Sequence, residues 1–511
     1  MRAGDGSVHV TDAQLADGLI NTRTLPPGLM SIQKLASQAR AYHVLKPYPL
    51  WWFKNWKEED RGPLPRCMPI AKAIIRRGAQ WLFGKPLEIS FPGNESLQER
   101  VREVWDENRM PSRLTAIARQ GGLDGGVVLK FAYDELAEPA ISIQSLSLTN
   151  QVRLYFHPHN REKLLMARVQ YPYYDPIEAC TYWYREEWTE AREVHYYPVK
   201  DESMHRSDPD TYEGWVIDEA YSRPNPFQLI PLHRIKNIET DDVWGAGDLW
   251  DIDDEPDGGL YRVLDRIHLT YHLMDRSNQF DSTVNPIYID LDVDDDDLMK
   301  PLQPSQALSL ESKNAGSDGS QGKVVFPSSG NGLRPAMMEY AKDLRKQVLD
   351  SAGSVWVDQA EFSNKGNLTN AVLAQLYLPQ IEVTEDKKRS YGADGLIPFL
   401  GKMARGLQRA GVDLGVNDKD KSTWAAELKW PAYFQLSQDE LTAAVGRTQE
   451  EELAGYLPHA RAIRIVAALE GIEDVEALED ELEKQPEPVL ATSTATNAAA
   501  MPIQKPDEVM G

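Results

Sequence analysis

The sequence predicts an α+β fold, and three observations carry the prediction. Apolar residues recur at helical spacing across 70–105 and again across 260–410. Between these regions, from Ala140 to Pro231, a stretch rich in Tyr, Val, Trp and Thr is broken at short intervals by Pro, Asn and Asp, as antiparallel strands joined by hairpins are. The composition, 41% hydrophobic with 13 Trp and 21 Tyr among 511 residues, belongs to a chain that buries sizeable cores rather than a disordered one.

Element by element, residues 1–44 read as an arm with one helix near Ser31–Tyr42. Ile70, Ala71, Ile74, Ile75, Gly78, Trp81 and Leu82 then share one helix face, and Gly84 and Pro86 end that helix. Ser96 and Glu99 have capping-box spacing around a helix carrying Leu97, Val101, Val104 and Trp105. A third helix is expected over Ser112–Arg119. After it Gly121, Gly122, Gly125 and Gly126 flank a turn, and Val127, Leu129, Phe131 and Tyr133 alternate as a strand. Strand-length pieces at Leu164–Tyr171, Thr181–Trp188 and Val194–Tyr197 complete a mixed domain over the first 240 residues.

Farther on, Leu260, Val263, Leu264, Ile267, Tyr271 and Met274 form one helical stripe. A helix over 258–285 would be a rod about 40 Å long. Strand-like pieces at Ile287–Val293 and Lys323–Phe326 bracket an acidic run and a Gly/Ser/Asn-rich loop, and a second rod is expected at Ala336–Ala352. Asn370–Ala410 gives a long helical pattern interrupted near Gly392 and Gly395–Pro398. Ser437 and Glu440 repeat the capping-box spacing, helices are expected at His459–Leu469 and Val475–Lys484, and 485–511 has the composition of a disordered tail.

Charge narrows the function classes. Lys and Arg number 55 against 79 Asp and Glu, a formal charge of −24, which is too acidic to grip nucleic acid by neutralising phosphate. Two cysteines, Cys67 and Cys180, exclude a disulfide framework and fit a reducing compartment. No apolar stretch approaches the roughly 20 residues that cross a bilayer, and Met1–Leu19 lacks a signal-peptide apolar region, so no membrane partner is expected.

No catalytic constellation emerges, and neither a metal nor a cofactor is expected. Asp290, Asp292 and Asp294–Asp297 resemble the opening of a calcium loop. Its sixth position is Asp295 instead of Gly and its twelfth is Pro301 instead of Glu, so a solvated acidic loop is the better reading; a metal-dependent hydrolase built on Asp290–Asp297 is the alternative. His268 and His272 share a helix face, but Leu269 stands where zinc chemistry needs Glu, and surface or interhelical roles are expected. His157 and His159 flank Pro158 in a loop. Ser317 stands at the first glycine of a phosphate loop ending at Lys323, and Leu123 at the second glycine of a dinucleotide fingerprint.

Four segments carry a family resemblance. Leu82, Phe83, Gly84, Lys85, Pro86 and Leu87 close a helix on a Gly-x-Pro-aliphatic turn, and Gly125, Gly126, Val127, Val128 and Leu129 make a glycine-led strand. Pro231, Leu232, His233, Arg234 and Ile235 precede Gly245–Leu249, where Gly247 and Asp248 stand in place of a Ser-Asp pair. Asn364–Val372 follow a loop, with Leu368 and Thr369 at positions where small residues are usual. Collinear with the two rods and the long helix, these segments resemble the siphophage-type portal proteins of tailed double-stranded DNA bacteriophages.

The resemblance implies an arm (1–44), a wing (45–257), a first stem helix (258–285), a clip (286–335), a second stem helix (336–352), a tunnel loop (353–366), a long helix with a wing return (367–434), a crown (435–484) and a disordered tail (485–511). It implies a homo-oligomeric ring, usually of twelve subunits, at one capsid vertex of the virion, assembled in the host cytoplasm, with double-stranded DNA passing through its centre. Implied partners are the terminase large subunit, a head-tail connector or adaptor, and the major capsid and scaffolding proteins. Val355, Trp356, Asp358, Glu361, Phe362 and Lys365 would belong to the tunnel loop, and Lys342, Arg345 and Lys346 on the second stem helix would either face the channel and make transient phosphate contacts or form intersubunit ion pairs. Trp356 and Phe362 would pack the loop against its neighbour in the ring or brush the duplex. Asp294, Asp295, Asp296 and Asp297 would meet partners at the clip. Twelve helices spaced about 10 Å apart leave an opening of roughly 28 Å, a loose fit for a duplex. The acidic charge keeps DNA contact weak. A virion structural protein without a channel is a further alternative.

Overall fold

Leu29, Ile32, Leu35, Ala36, Ala39 and Tyr42 recur at three- and four-residue spacing and are buried together along α1 (Leu29–Val44), the helix expected near the N-terminus. The structure, a computed structural model, describes residues 26, 28–44, 68–157, 159–204, 208–254, 259–282, 287–289, 291–292, 311–312, 323–325, 333–356, 370–434, 438–454 and 456–470.

α2 (Ile70–Phe83) buries the predicted apolar face, and the Gly84 N–H closes it on Gln80 O at 2.7 Å. β1 (Glu88–Ser90) leads to α3 (Glu95–Glu107), whose cap is not Ser96. Asn94 accepts the Leu97 N–H at 3.0 Å, and Ser96, already in the first turn, donates its hydroxyl to the same oxygen. Asn is at least as strong a cap as Ser, so the start falls two residues early. α4 (Met110–Asp124) is longer than expected at both ends and takes in Gly121 and Gly122. The turn falls to Gly125, whose φ of +76° suits a residue without a Cβ.

β2 (Gly126–Tyr133) is the middle strand of an antiparallel sheet, between β3 (Ile141–Ser147) and the later β10 (Leu232–Lys236). The expected one-sided alternation is absent, because the first six residues of β2 are all buried. Phe131 packs edge-on against Phe399, and Lys130, on the opposite face, pairs with Glu186 of a second sheet. That sheet runs in the order β4 (Val152–His157), β5 (Asn160–Asp175), β6 (Cys180–Trp188), β7 (Arg192–His195), β9 (Arg223–Pro224), with β8 (Val199–Lys200) also on β6. Paired charges fill its interior: Arg153 with Asp210 at 2.8 Å, Arg168 with Glu187 at 2.9 Å, and Arg185 with Glu187 at 2.5 Å. Burial, then the charge of Glu187, pushes the Tyr196 hydroxyl up to about 12.

α5 (Gly259–Ser282) and α6 (Leu333–Ser351) are the two expected rods, and they pack on each other. Leu264 and Ile267 of the first and Ala341, Leu344 and Val348 of the second are buried. Between them in sequence, β11 (Ile287–Ile289) pairs antiparallel with β14 (Lys323–Val325), and β12 (Leu291–Asp292) with β13 (Glu311–Ser312).

α7 (Asn370–Leu376), α8 (Leu378–Lys388), a π-helical stretch at Arg389–Leu396 and α9 (Ile397–Arg409) follow one another. The expected interruption at Gly392 and Gly395–Pro398 is a widened turn, not a break: the Ile397 N–H reaches back five residues to Gly392 O. Gly392 faces the Trp430 ring and Gly395 faces Ile235, so these glycines serve close packing. β15 (Glu427–Lys429) returns to pair with β1.

These elements form one unit, residues 1–433, and residues 434–511 form a second. Its described part is α10 (Gln438–Leu453) packed on α11 (His459–Glu470). Ser437, the helix expected at 475–484 and the tail at 485–511 lie outside the described residues.

Candidate functional site

The chain leaving α6 turns at Gly353, with φ of +57°, and the Ser354 N–H returns to Leu349 O at 2.8 Å. This turn directs Val355 and Trp356 to α2. There Arg77 donates from Nη1 to Val355 O at 2.7 Å and holds its guanidinium carbon 4.1 Å from the Trp356 ring centroid. Arg345, in the penultimate turns of α6, lies over the same ring at 4.3 Å. Burial lowers the Arg77 pKa, Tyr377 opposes that shift, and Arg345 adds to it. Two cations thus share one half-exposed indole, which joins α2, α6 and the segment beyond.

A second cluster gathers around Asp248. Lys387 of α8 reaches its Oδ1 at 2.5 Å, with side chains 4% and 5% exposed respectively. Asn237 Nδ2 donates to the same oxygen at 2.8 Å, and Asn237 Oδ1 accepts the Tyr391 hydroxyl at 3.2 Å. A Cβ on Gly122 would stand 2.5 Å from the Asp248 carboxylate, and one on Gly78 2.9 Å from Lys387 Nζ, so both helices need glycine where this pair passes. Burial, then Asp248 and Asp124, raises the Tyr391 hydroxyl well above its ordinary range.

A third set fastens α1 across the molecule. Tyr42 donates its hydroxyl to Asp265, stacks on Tyr261 with centroids 5.2 Å apart, and meets the His268 ring at 6.1 Å. Tyr261 returns its hydroxyl to Leu35 O at 2.8 Å. Arg40 pairs with Asp124 and donates to Thr149 Oγ1 at 2.6 Å. Burial raises the Asp124 carboxyl despite Arg40.

The sequence profile described as phage portal protein, SPP1 Gp6-like, matches residues 38–393, which include the core of all three clusters. The chain belongs to this portal protein family. Among solved structures, it is similar to the "Neck of native GTA particle computed with C12 symmetry" at 13% identity, covering 78% of this chain and 89% of that one, with a TM-score of 0.35. It is also similar to the "Virion of native gene transfer agent (GTA) particle" at 14% identity, covering 78% and 90%, with a TM-score of 0.34. No curated protein sequence matches.

Within this portal chain, the structure brings together three of the residues marked in the sequence, Arg345, Val355 and Trp356. Trp356 packs on arginines of its own chain. Lys342 and Lys346 are exposed on α6 and make no ion pair among the described residues. Asp358, Glu361, Phe362, Lys365 and Asp294–Asp297 lie outside the described residues, as does Asp290. His268 and His272 are not at the surface: they are 2% and 1% exposed, on the buried side of α5, and burial lowers the pKa of His268. Among the described residues no group of three or more His, Cys, Asp or Glu is placed to hold a metal, and no helix is long and apolar enough to cross a membrane.

Sequence reasoning missed Arg77, Asn237, Lys387 and Tyr391. A signal for two of them was present. Gln380, Thr384, Lys387 and Tyr391 are spaced as one helix face, a polar stripe where the neighbouring helices carry aliphatics, and all four are buried.

Proposed function

We propose that the chain is one subunit of a portal ring of about twelve copies, set at a single vertex of the virion, through which double-stranded DNA passes during packaging and ejection. The observation that carries this reading is the course of the chain from α5 to α6. It runs out along one helix, forms two short antiparallel strand pairs and returns along a second helix packed on the first. Such a projection, repeated around an axis, makes the wall of a conduit.

On this reading α5 and α6 are the stem and 286–335 is the clip, with Asp294–Asp297 meeting partners. Residues 353–366 are the tunnel loop, with Asp358, Glu361, Phe362 and Lys365 near the duplex, and 435–484 form the crown. Lys342 and Lys346, exposed on α6, supply transient phosphate contacts on a subunit whose charge of −24 otherwise repels DNA. The work of translocation falls to a terminase large subunit docked on the ring, while a head-tail connector and the capsid and scaffolding proteins complete the vertex; the chain itself performs no catalysis. Assembly takes place in the host cytoplasm.

Negative-stain electron microscopy of the purified chain tests the proposal. Top views are expected to show a ring of about twelve subunits with a central opening. Closed discs, or a single 57.7 kDa species in assembly buffer, overturn it.

A further inference from the structure

Lys402 is a cation that the fold encloses without a carboxylate. From the second turn of α9 it reaches across to β10, where its Nζ donates to Leu232 O at 2.9 Å, and no ion pair among the described residues offsets its charge. Leu232 and Lys402, the two ends of this hydrogen bond, both line a cavity of about 440 Å³ whose apolar walls include Phe156, Leu164 and Pro398. The lysine side chain is half-buried there, so a reagent in the cavity can reach it. The other basic groups on the lining are engaged. Lys236 pairs with Glu239 and donates to Thr240 O at 3.0 Å, while Arg234 lies 4.8 Å over the Phe156 ring with Glu162 at 3.7 Å. His233 donates from Nε2 to Asp394 O at 2.9 Å, and burial, then Lys402, pushes its pKa down to about 3. Lys402 is the exception. Burial, then Arg405, pulls its pKa down to about 8, and Glu190 opposes the shift without cancelling it. A desolvated amine of this kind spends enough time uncharged to act as a nucleophile.

We propose that Lys402 captures small neutral aldehydes in this cavity as an imine. The amine lone pair attacks the carbonyl carbon and forms the C–N bond. The carbinolamine then expels its oxygen as water together with the two amine protons, which leaves C=N and consumes no oxidant or cofactor. Because the neighbouring cations already have acidic partners, a neutral electrophile fits better than an ion, and the volume admits a molecule of a few carbons. At pH 7.5 about a quarter of the Lys402 amine is uncharged, against about one in a thousand for a lysine at the ordinary 10.5. The weaker basicity of the amine gives back part of that advantage, which leaves a lead of about tenfold. The assignment is independent of the portal reading, since it uses only the inside of one subunit.

Reductive trapping on the full-length protein tests it, with propanal as the probe, cyanoborohydride to fix the imine, and peptide mass spectrometry to rank the lysines. At pH 7.5 and limiting propanal, Lys402 is expected to gain its propyl group about tenfold faster than the exposed Lys342 and Lys346. In concentrated urea, where the cavity no longer exists, that lead should vanish. Leu164→Trp, which narrows the cavity from β5, should slow labelling of Lys402 by about fivefold or more and leave Lys342 unchanged. Labelling of Lys402 no faster than that of Lys342 overturns the site. So does a lead that survives in urea, which assigns the reactivity to local sequence. An undiminished rate in a Leu164→Trp chain that still melts cooperatively overturns it too, because the amine then reacts from outside the cavity. Should that variant fail to fold, the comparison of native and urea-unfolded parent chains decides the matter alone.

Discussion

Arg345 holds its guanidinium carbon 4.3 Å from the centroid of the Trp356 ring, so the last turns of α6 carry the anchor for the segment that leaves them. With Arg77 at 4.1 Å, the indole serves two cations, each contact worth about 0.5–1 kcal/mol at a half-exposed site. Trp356→Ala is expected to lower stability by about 1–2 kcal/mol in urea titrations. Arg345→Lys, which keeps the charge and loses the planar fork, should fall between that variant and the parent. Unchanged urea midpoints in both variants would mean the stack contributes nothing.

Lys387→Met strands the Asp248 carboxylate in a buried site, with an expected loss of about 3–5 kcal/mol. Adding Asp248→Asn removes the stranded charge and should recover much of that loss, since replacing both members of a buried pair is far milder than removing one. Thermal melts of the two singles and the double measure this coupling; additive losses would contradict it.

Burial lowers the pKa of His268 below 6.5, so the folded chain refuses a proton that the unfolded chain accepts. Its contribution to stability is complete above about pH 6.5 and is lost as pH falls toward the lowered folded value. His268→Gln should therefore flatten the decline in stability just below pH 6.5, read as the difference between the melting curves of variant and parent. Parallel curves would assign the acid decline to other groups.

Gly125 and Gly411 separate strain from collision. Both have positive φ, +76° and +97°, but a Cβ at Gly125 would lie 2.4 Å from Gly245 O, whereas nothing stands within 4 Å of one at Gly411. Gly411→Ala is expected to lose about 1–2 kcal/mol to backbone strain alone. Gly125→Ala should lose clearly more, and equal losses in denaturant titration would show that the backbone around Gly245 gives way.

Lys342→Gln/Lys346→Gln, at exposed positions of α6, should leave ring assembly intact and weaken the association of a labelled duplex. The slope of log K against log salt should become shallower by about 0.9 for each phosphate that is no longer neutralised. An unchanged slope would place these lysines away from DNA.

The helices α2 and α3 were legible because their apolar periods are clear, and their faces are buried where residue spacing put them; on α5 the spaced Leu264 and Ile267 are buried, but so are Tyr261, Asp265, His268 and His272, which the apolar stripe did not include. Other features depended on partners remote in sequence. β2 reads as one-sided until Phe399 and Glu186 cover it from two directions. Arg77 reads as a solvated side chain until Val355 and Trp356, nearly 280 positions later, arrive above it. Asp248 was singled out by its place in the chain, but the buried Lys387 that explains it lies on α8, 139 positions later. The glycines at 392 and 395 suggested a break because small residues so often end helices; here Trp430 and Ile235 fill the space they leave.

The helix at Leu29–Val44 is synthesised well before the helix that seats it, because Tyr42 and Leu35 find their partners at Asp265 and Tyr261, more than 200 residues later. Closing so long a loop is slow, and until the downstream helix exists the apolar side of this one has only part of its seat. Nascent or truncated chains therefore expose a sticky amphipathic segment that finished subunits hide, which gives the cell's chaperones and proteases a physical basis for telling incomplete subunits from complete ones.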